Sequence, residues 1–350
     1  MPRVSLSFLM IMTILKALVG NPVHAENIQF VDRIQFQGNI KASEDLSAVG
    51  QIGKYMIIGS DEGTGGKRNK NIVQILVQQE GNRYQVIDEI FLFKGDKDSG
   101  KEMDIEGIAT DNNQIFVVGS HSRKRKKQKI KASHEKNRRA YTEEGNKQEI
   151  SREWLYRLDV DSSMKVSRKD AVSLGDLIRQ HEVLGAYAKI PGKENGIDIE
   201  GIAVDSGLVY VGFRGPVFRE NYVPVMRFDF DNPEDTNELL YVNLGGRGIR
   251  DMARVNDGFL ILAGPVGDAL VSYQLFHWNG NDLIKGDNQK PGDAGKITYL
   301  GEIGTPEGGK AEGLLVLNEA DQSNYEVLII YDGVPNGMPM RYRVSKLPLQ

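Results

Sequence analysis

Two stretches of the chain nearly repeat each other: Asp104-Ile105-Glu106-Gly107-Ile108-Ala109 and Asp198-Ile199-Glu200-Gly201-Ile202-Ala203. Each leads through an acidic turn into a β-rich run that ends in glycine, at Gly119 and at Gly212. A strand-turn-strand unit recurring at long period restricts the chain to a modular β architecture. Weaker copies extend the series. One starts at Asp45 and runs into Tyr55–Gly59, one starts at Gly248 and runs into Phe259–Ala263, and one starts at Lys310 and runs into Tyr325–Ile330. The starts are 59, 94, 50 and 62 residues apart. A four-stranded propeller blade takes about 40–50 residues, so these intervals suit one blade plus loops.

The 94-residue interval needs an insertion. The sequence supplies a basic segment at about 122–150 and a short helical one at about 173–188, where Leu174, Leu177, Ile178, His181 and Leu184 fall at helical spacing. Outer strands follow the repeats at Ile72–Val77, Trp154–Leu158, Val225–Phe230 and Leu270–Trp278. After the fifth repeat only one outer strand remains, Met340–Val344. A strand from the other terminus, within Ile28–Phe36, can complete that sheet and close the ring without open edges. The expected fold is an all-β propeller of five blades, occupying 26–350 as a single domain. Six blades is the alternative, and an open pair of β-sandwiches is a further one.

Residues 1–25 read as a cleaved secretory leader. Arg3 precedes an apolar run at Leu6–Val19, and Val23-His24-Ala25 fits a small-x-small cleavage site. The run is shorter than the ~20 residues of a spanning helix. The chain has no cysteine, which excludes disulfides, thiol catalysis and thiolate metal sites. A periplasmic or secreted location is expected. The net charge of −4 hides an asymmetry, because Arg123–Arg139 holds ten Lys or Arg and one Glu. That segment is expected to contact polyanions or to form a solvated loop, and it lacks interleaved aromatics for stacking bases.

In an antiparallel hairpin the start of the first strand lies beside the end of the second. Asp104 and Glu106 then neighbour Ser120-His121-Ser122, Asp198 and Glu200 neighbour Arg214, and Asp45 neighbours Asp61. Arg250 and Asp251 neighbour Gly264. If these hairpins are innermost, all these groups gather with Lys310 and Glu312 at one end of the axis. Asp104, Glu106, Asp198 and Glu200 are the candidate metal ligands, with calcium the leading cation because it takes six to eight oxygens. Asp45, Asp61, Arg214, Arg250, Asp251 and Glu312 are the candidate ligand-binding residues. In an enzyme, Glu106, Glu200 and His121 would be the catalytic groups. The architectural alternative pairs the carboxylates with Arg214, Arg250 and backbone N–H groups. His277, beside Trp278, reads as packing. No serine lies in a Gly-x-Ser-x-Gly elbow.

The Asp-Ile-Glu-Gly-Ile-Ala starts, the strand ends Gly119-Ser120-His121-Ser122 and Gly212-Phe213-Arg214-Gly215-Pro216, and the variant Gly248-Ile249-Arg250-Asp251-Met252-Ala253 together resemble an uncharacterised bacterial β-propeller family, a domain of unknown function. The resemblance covers most of 40–335; it implies the fold and brings no agreed activity. The Glu-Gly-[Ile/Leu]-Ala element is more distantly similar to phytase-like and esterase-like propeller domains. Ser47 and Arg250 depart from the pattern, so an acidic ring is incomplete in blades one and four. The expected function is binding of a ligand or partner at the acidic axial face with a divalent cation. The alternative is metal-assisted hydrolysis of phosphate or carboxylate esters.

Overall fold

Five small sheets, antiparallel except for one added strand, stand around a common axis, one for each repeat. The computed structural model describes residues 27–64, 70–95, 97, 100–319 and 321–346. The expected leader lies outside the described residues. The innermost strands are Leu46–Ile52, Ile105–Asp111, Asp198–Asp205, Gly248–Val255 and Lys310–Asn318. Each packs against the next, and Lys310–Asn318 packs against Leu46–Ile52, so the ring is closed with five blades. The six-bladed alternative and the sandwich pair are therefore excluded.

The second strands, such as Tyr55–Ser60 and Gln114–Gly119, are near-continuous apolar runs because both of their faces are covered by neighbouring blades. The outermost strand of the second blade, Val166–Ser173, is polar and largely exposed. The hydrophobic interior is divided accordingly into five wedges, one at each blade boundary. One unites Ile57, Ile75 and Ile105 with Val117 between blades one and two. Another unites Met56 and Ile58 with Leu328 and Ile330 between blades one and five.

Ring closure is firmer than a single exchanged strand. Ile28–Arg33 pairs antiparallel with Met340–Ser345 and completes blade five. The chain then turns at Ile34, and Gln35–Gln37 pairs parallel with the outer strand of blade one. The expected closing strand Ile28–Phe36 is thus split between two blades, which staples both sides of the seam. Within blade five Arg341 Nε donates to Asp32 Oδ1 at 2.8 Å between the two paired terminal strands.

The segment at 122–150 folds into a short strand pair, Lys124–Arg125 with Asn146–Lys147, and a helix at His134–Arg139. The second insertion holds a helix at Gly175–Gln180 and a 3-10 turn at Leu184–Tyr187. Leu174, Ile178 and Leu184 are buried there. No helix among the described residues is long and apolar enough to cross a membrane.

Candidate axial acidic site

Every innermost strand carries an irregularity at the same place. The pairing register shifts at Ser47, Glu106, Glu200, Arg250 and Glu312. A bulged residue is left out of the ladder, and its side chain is re-aimed. This is the physical content of the repeated Glu-Gly pair. The glutamate bulges, and the glycine after it lets the next blade close in. A Cβ on Gly107 would sit 2.7 Å from Ile202 Cγ2 and 3.0 Å from the Glu200 carbonyl oxygen. A Cβ on Gly201 would sit 2.8 Å from Ile249 Cγ2.

The hairpin pairing brings the expected residues together. Asp61 N–H donates to the Asp45 carbonyl at 3.2 Å, and Ser120 N–H donates to the Asp104 carbonyl at 3.0 Å. Asp198 lies opposite Gly215, next to Arg214, and Gly248 lies opposite Gly264. The acidic groups around the axis nevertheless divide into two kinds of environment.

On one side guanidinium groups hold the carboxylates. Glu200 is buried, with Arg214 Nη1 at 2.6 Å from Oε1 and Arg250 Nε at 2.9 Å from Oε2. Arg214 also binds Asp198, and Arg250 also binds Glu312. The chain Asp198–Arg214–Glu200–Arg250–Glu312 therefore crosses blades three, four and five. Burial raises Glu200 to about 8 against the pull of the two arginines. Asp251 is also buried. It accepts the backbone N–H groups of Met252 and of Leu314 in the next blade, each at 2.7 Å, which makes it an interblade tie. Asp104, expected among the metal ligands, accepts from Arg152 Nη2 at 2.8 Å.

On the other side no guanidinium among the described residues pairs with the acids. Carboxylate oxygens of Asp45, Asp61 and Asp332 lie within 4.8 Å of one another. Lys310 pairs with Asp332. Asp61 Oδ1 is buried with no hydrogen-bond partner among the described residues. Burial, then the nearby Asp104, Glu312, Asp332 and Asp45, push the Asp61 carboxyl up to about 9. Burial and Asp332 raise Asp45 as well. Three of the four expected metal ligands, Glu106, Asp198 and Glu200, form a second group within 4.8 Å. There Arg214 already balances two of the three. Glu106 has no ion pair among the described residues, and burial beside Glu200 and Asp104 raises it well above the usual carboxylate range.

His121 is not brought to the carboxylates. Its Nδ1 lies 2.8 Å from the Gly119 carbonyl oxygen, and its buried Nε2 has no hydrogen-bond partner among the described residues. The ring faces a cavity of about 10 Å³, room for about one water, lined by Ser122, Glu153, Gly175 and Arg179. Burial lowers this imidazole to about 4, so it is neutral at ordinary pH. His277 contacts Asp257 at 3.1 Å and stacks on Tyr325. Sequence reasoning missed Asp332 and Arg152. Asp332 was within reach of the hairpin rule, since it lies opposite Lys310 in register. Arg152 follows an insertion and carried no signal. At the other end of the axis a funnel of about 620 Å³ is lined by Val49, Ile108, Ile202, Met252 and Leu314.

Fold and site define a five-bladed β-propeller with a carboxylate-rich axial end. The chain belongs to the DUF3616 family of proteins of unknown function, whose model matches residues 45–343. No curated protein matches its sequence. Among solved structures it is similar to a hypothetical protein from Leishmania major, with 9% identity over 92% of each chain and a TM-score of 0.43. It is also similar to the exo-β-1,3-galactanase of Phanerochaete chrysosporium, with 9% identity over 93% of this chain and 65% of that one and a TM-score of 0.45. The periplasmic gluconolactonase of Pseudomonas aeruginosa is 13% identical over 82% of this chain and 65% of that one, with a TM-score of 0.36. Nothing about the site rests on these likenesses.

Proposed function

We propose that the axial end binds a divalent cation, calcium foremost, at Asp45, Asp61 and Asp332, and that a polar ligand or partner docks over it. The observation that carries this reading is the buried Asp61 Oδ1, without a hydrogen-bond partner among the described residues, beside two further carboxylates. Buried charge of one sign is costly unless it is protonated or neutralised by a counter-ion. A hard cation with carboxylate oxygens meets that need and leaves coordination positions for a ligand. Arg214 and Arg250 do the same for the other carboxylates, which makes Asp198, Glu200 and Glu312 architectural in this reading. With a leader at 1–25, binding takes place in a periplasm or outside the cell. The basic segment Arg123–Arg139 is a second contact surface, for a polyanion.

The test is a thermal melt in EDTA, then with calcium, magnesium, manganese or zinc. An ion that binds only the folded state at 100 times its Kd stabilises by about 2.7 kcal/mol. The rise in Tm is expected with wild type and lost in Asp61→Asn and in Asp332→Asn. Equal responses in wild type and both variants, or no response to any ion, would overturn the reading.

Metal-assisted ester hydrolysis is the second reading, and the raised, unpaired Glu106 favours it as a proton donor. Turnover of a phosphate or carboxylate ester that disappears in a folded Glu106→Gln would support it. His121 faces its own cavity, so His121→Gln is expected to leave such turnover in place.

A further inference from the structure

The basic insertion is built rather than loose. Arg125 binds Glu194 through Nε and Nη2 at 2.7 and 2.8 Å and donates from Nη1 to the Ala140 and Thr142 carbonyls. The Asn137 side chain holds both backbone groups of Lys129, at 2.9 and 3.0 Å. Ser133 Oγ accepts from Lys136 N–H and caps the short helix. Lys126 N–H donates to the Gly145 carbonyl at 2.9 Å. Three cations, Arg123, Lys124 and Arg125, are used in holding the segment down.

The remaining charges point outward. Lys126, Lys127, Lys129, Lys131, Lys136, Arg138 and Arg139 are exposed, and their side chains make no ion pair among the described residues. Between Lys129 and Lys131 stands Ile130, fully exposed, with Tyr141 also exposed nearby in sequence. Leu270 is equally exposed, but it lies near Asp268 rather than in a cationic cluster. Among the described residues, only the insertion combines a projecting apolar side chain with a block of free cations.

We propose that this insertion docks the protein on an anionic lipid surface. Lysines gather at the negative headgroups, and Ile130 and Tyr141 enter the headgroup boundary. Clustered Lys and Arg are attracted to anionic leaflets over about a Debye length, and an apolar residue among them adds burial that salt does not screen. Lysine stems extend along the apolar layer while their ammonium groups stay with the phosphates. A nucleic acid would use the charges but leave Ile130 without a partner. The ordered turn keeps the cations on one projection, so little chain freedom is lost on docking. The proposal rests on the reading of this segment as a polyanion contact given above and is independent of the cation site.

The experiment is co-sedimentation of the full protein with vesicles of phosphatidylcholine alone or with about 30% phosphatidylglycerol, at low and at high salt. Binding is expected to the anionic vesicles only and to fall as salt rises. Replacing Lys126, Lys127, Lys129 and Lys131 by Gln should weaken it at least about tenfold. Ile130→Asp should weaken it too, while Leu270→Asp should leave it unchanged. Both apolar positions are fully exposed, so neither substitution should disturb the fold, and matching Tm values check this. Absence of binding to anionic vesicles would overturn the proposal, as would binding that survives both insertion variants. Tight binding to duplex DNA that ignores Ile130→Asp, with weak vesicle binding, would assign the surface to nucleic acid instead.

Discussion

Two sides of the same axial end hold carboxylates in opposite company. Across blades three to five, Arg214 and Arg250 alternate with Asp198, Glu200 and Glu312 in one buried chain of ion pairs. Across blades one and five, Asp45, Asp61 and Asp332 have among the described residues only Lys310, which pairs with Asp332. The difference comes from two positions. The residue at the bulge is Arg250 in blade four and Ser47 in blade one. The residue near the end of the second strand is Arg214 in blade three, and at the corresponding place in blade one it is Asp61. Every blade brings at least one acid to this end, and these off-motif residues decide whether the acids form a strap or an open group.

The largest effect should come from breaking the strap. Arg250→Met leaves Glu200 and Glu312 buried with less counter-charge, and removal of one partner from a buried pair costs about 3–5 kcal/mol. Denaturant unfolding measures it. A loss below about 1 kcal/mol, the level of a surface pair, would mean that the strap is not structural.

A smaller effect follows from pH on the open side. The unfolded Asp61 ionises from its ordinary value of 3.8, whereas the folded one keeps its proton to about 9. Between these values the folded state holds the extra proton, so stability falls as pH rises and levels off outside the window. Asp61 keeps some contact with solvent, which limits the total fall to roughly 2 kcal/mol. In EDTA this slope should flatten in Asp61→Asn, and calcium should reduce it in wild type. A slope that is the same in Asp61→Asn would assign it to other carboxylates.

The smallest expected effect is at the bulge of blade one. Ser47 Oγ donates to the Ile105 carbonyl of blade two, a single neutral hydrogen bond across the boundary. Ser47→Ala should cost about 1 kcal/mol. A loss as large as that of Arg250→Met would remove the contrast between the two sides.

Much of the architecture was legible because strand periodicity and the Glu-Gly starts are local signals. The five starts mark the five innermost strands, and the hairpin rule placed Asp45 with Asp61 and Asp198 with Arg214. Less of the site was legible. Asp104 went to Arg152, a residue from the return of an insertion. His121 follows a strand end in the expected place, yet its backbone turns to a φ of +54° and its ring faces the cavity shared with Arg179. Asp332 joins Asp45 and Asp61 only because the fifth blade closes on the first.

The sequence by itself pointed to five repeated hairpins and placed most of the acidic residues at one end of them, because pairing within a hairpin depends on neighbours in the chain. Only the closed ring decided which acids meet a guanidinium and which meet one another. Those encounters cross blade boundaries between residues such as Arg250 and Glu312, 62 positions apart, and no local pattern encodes them.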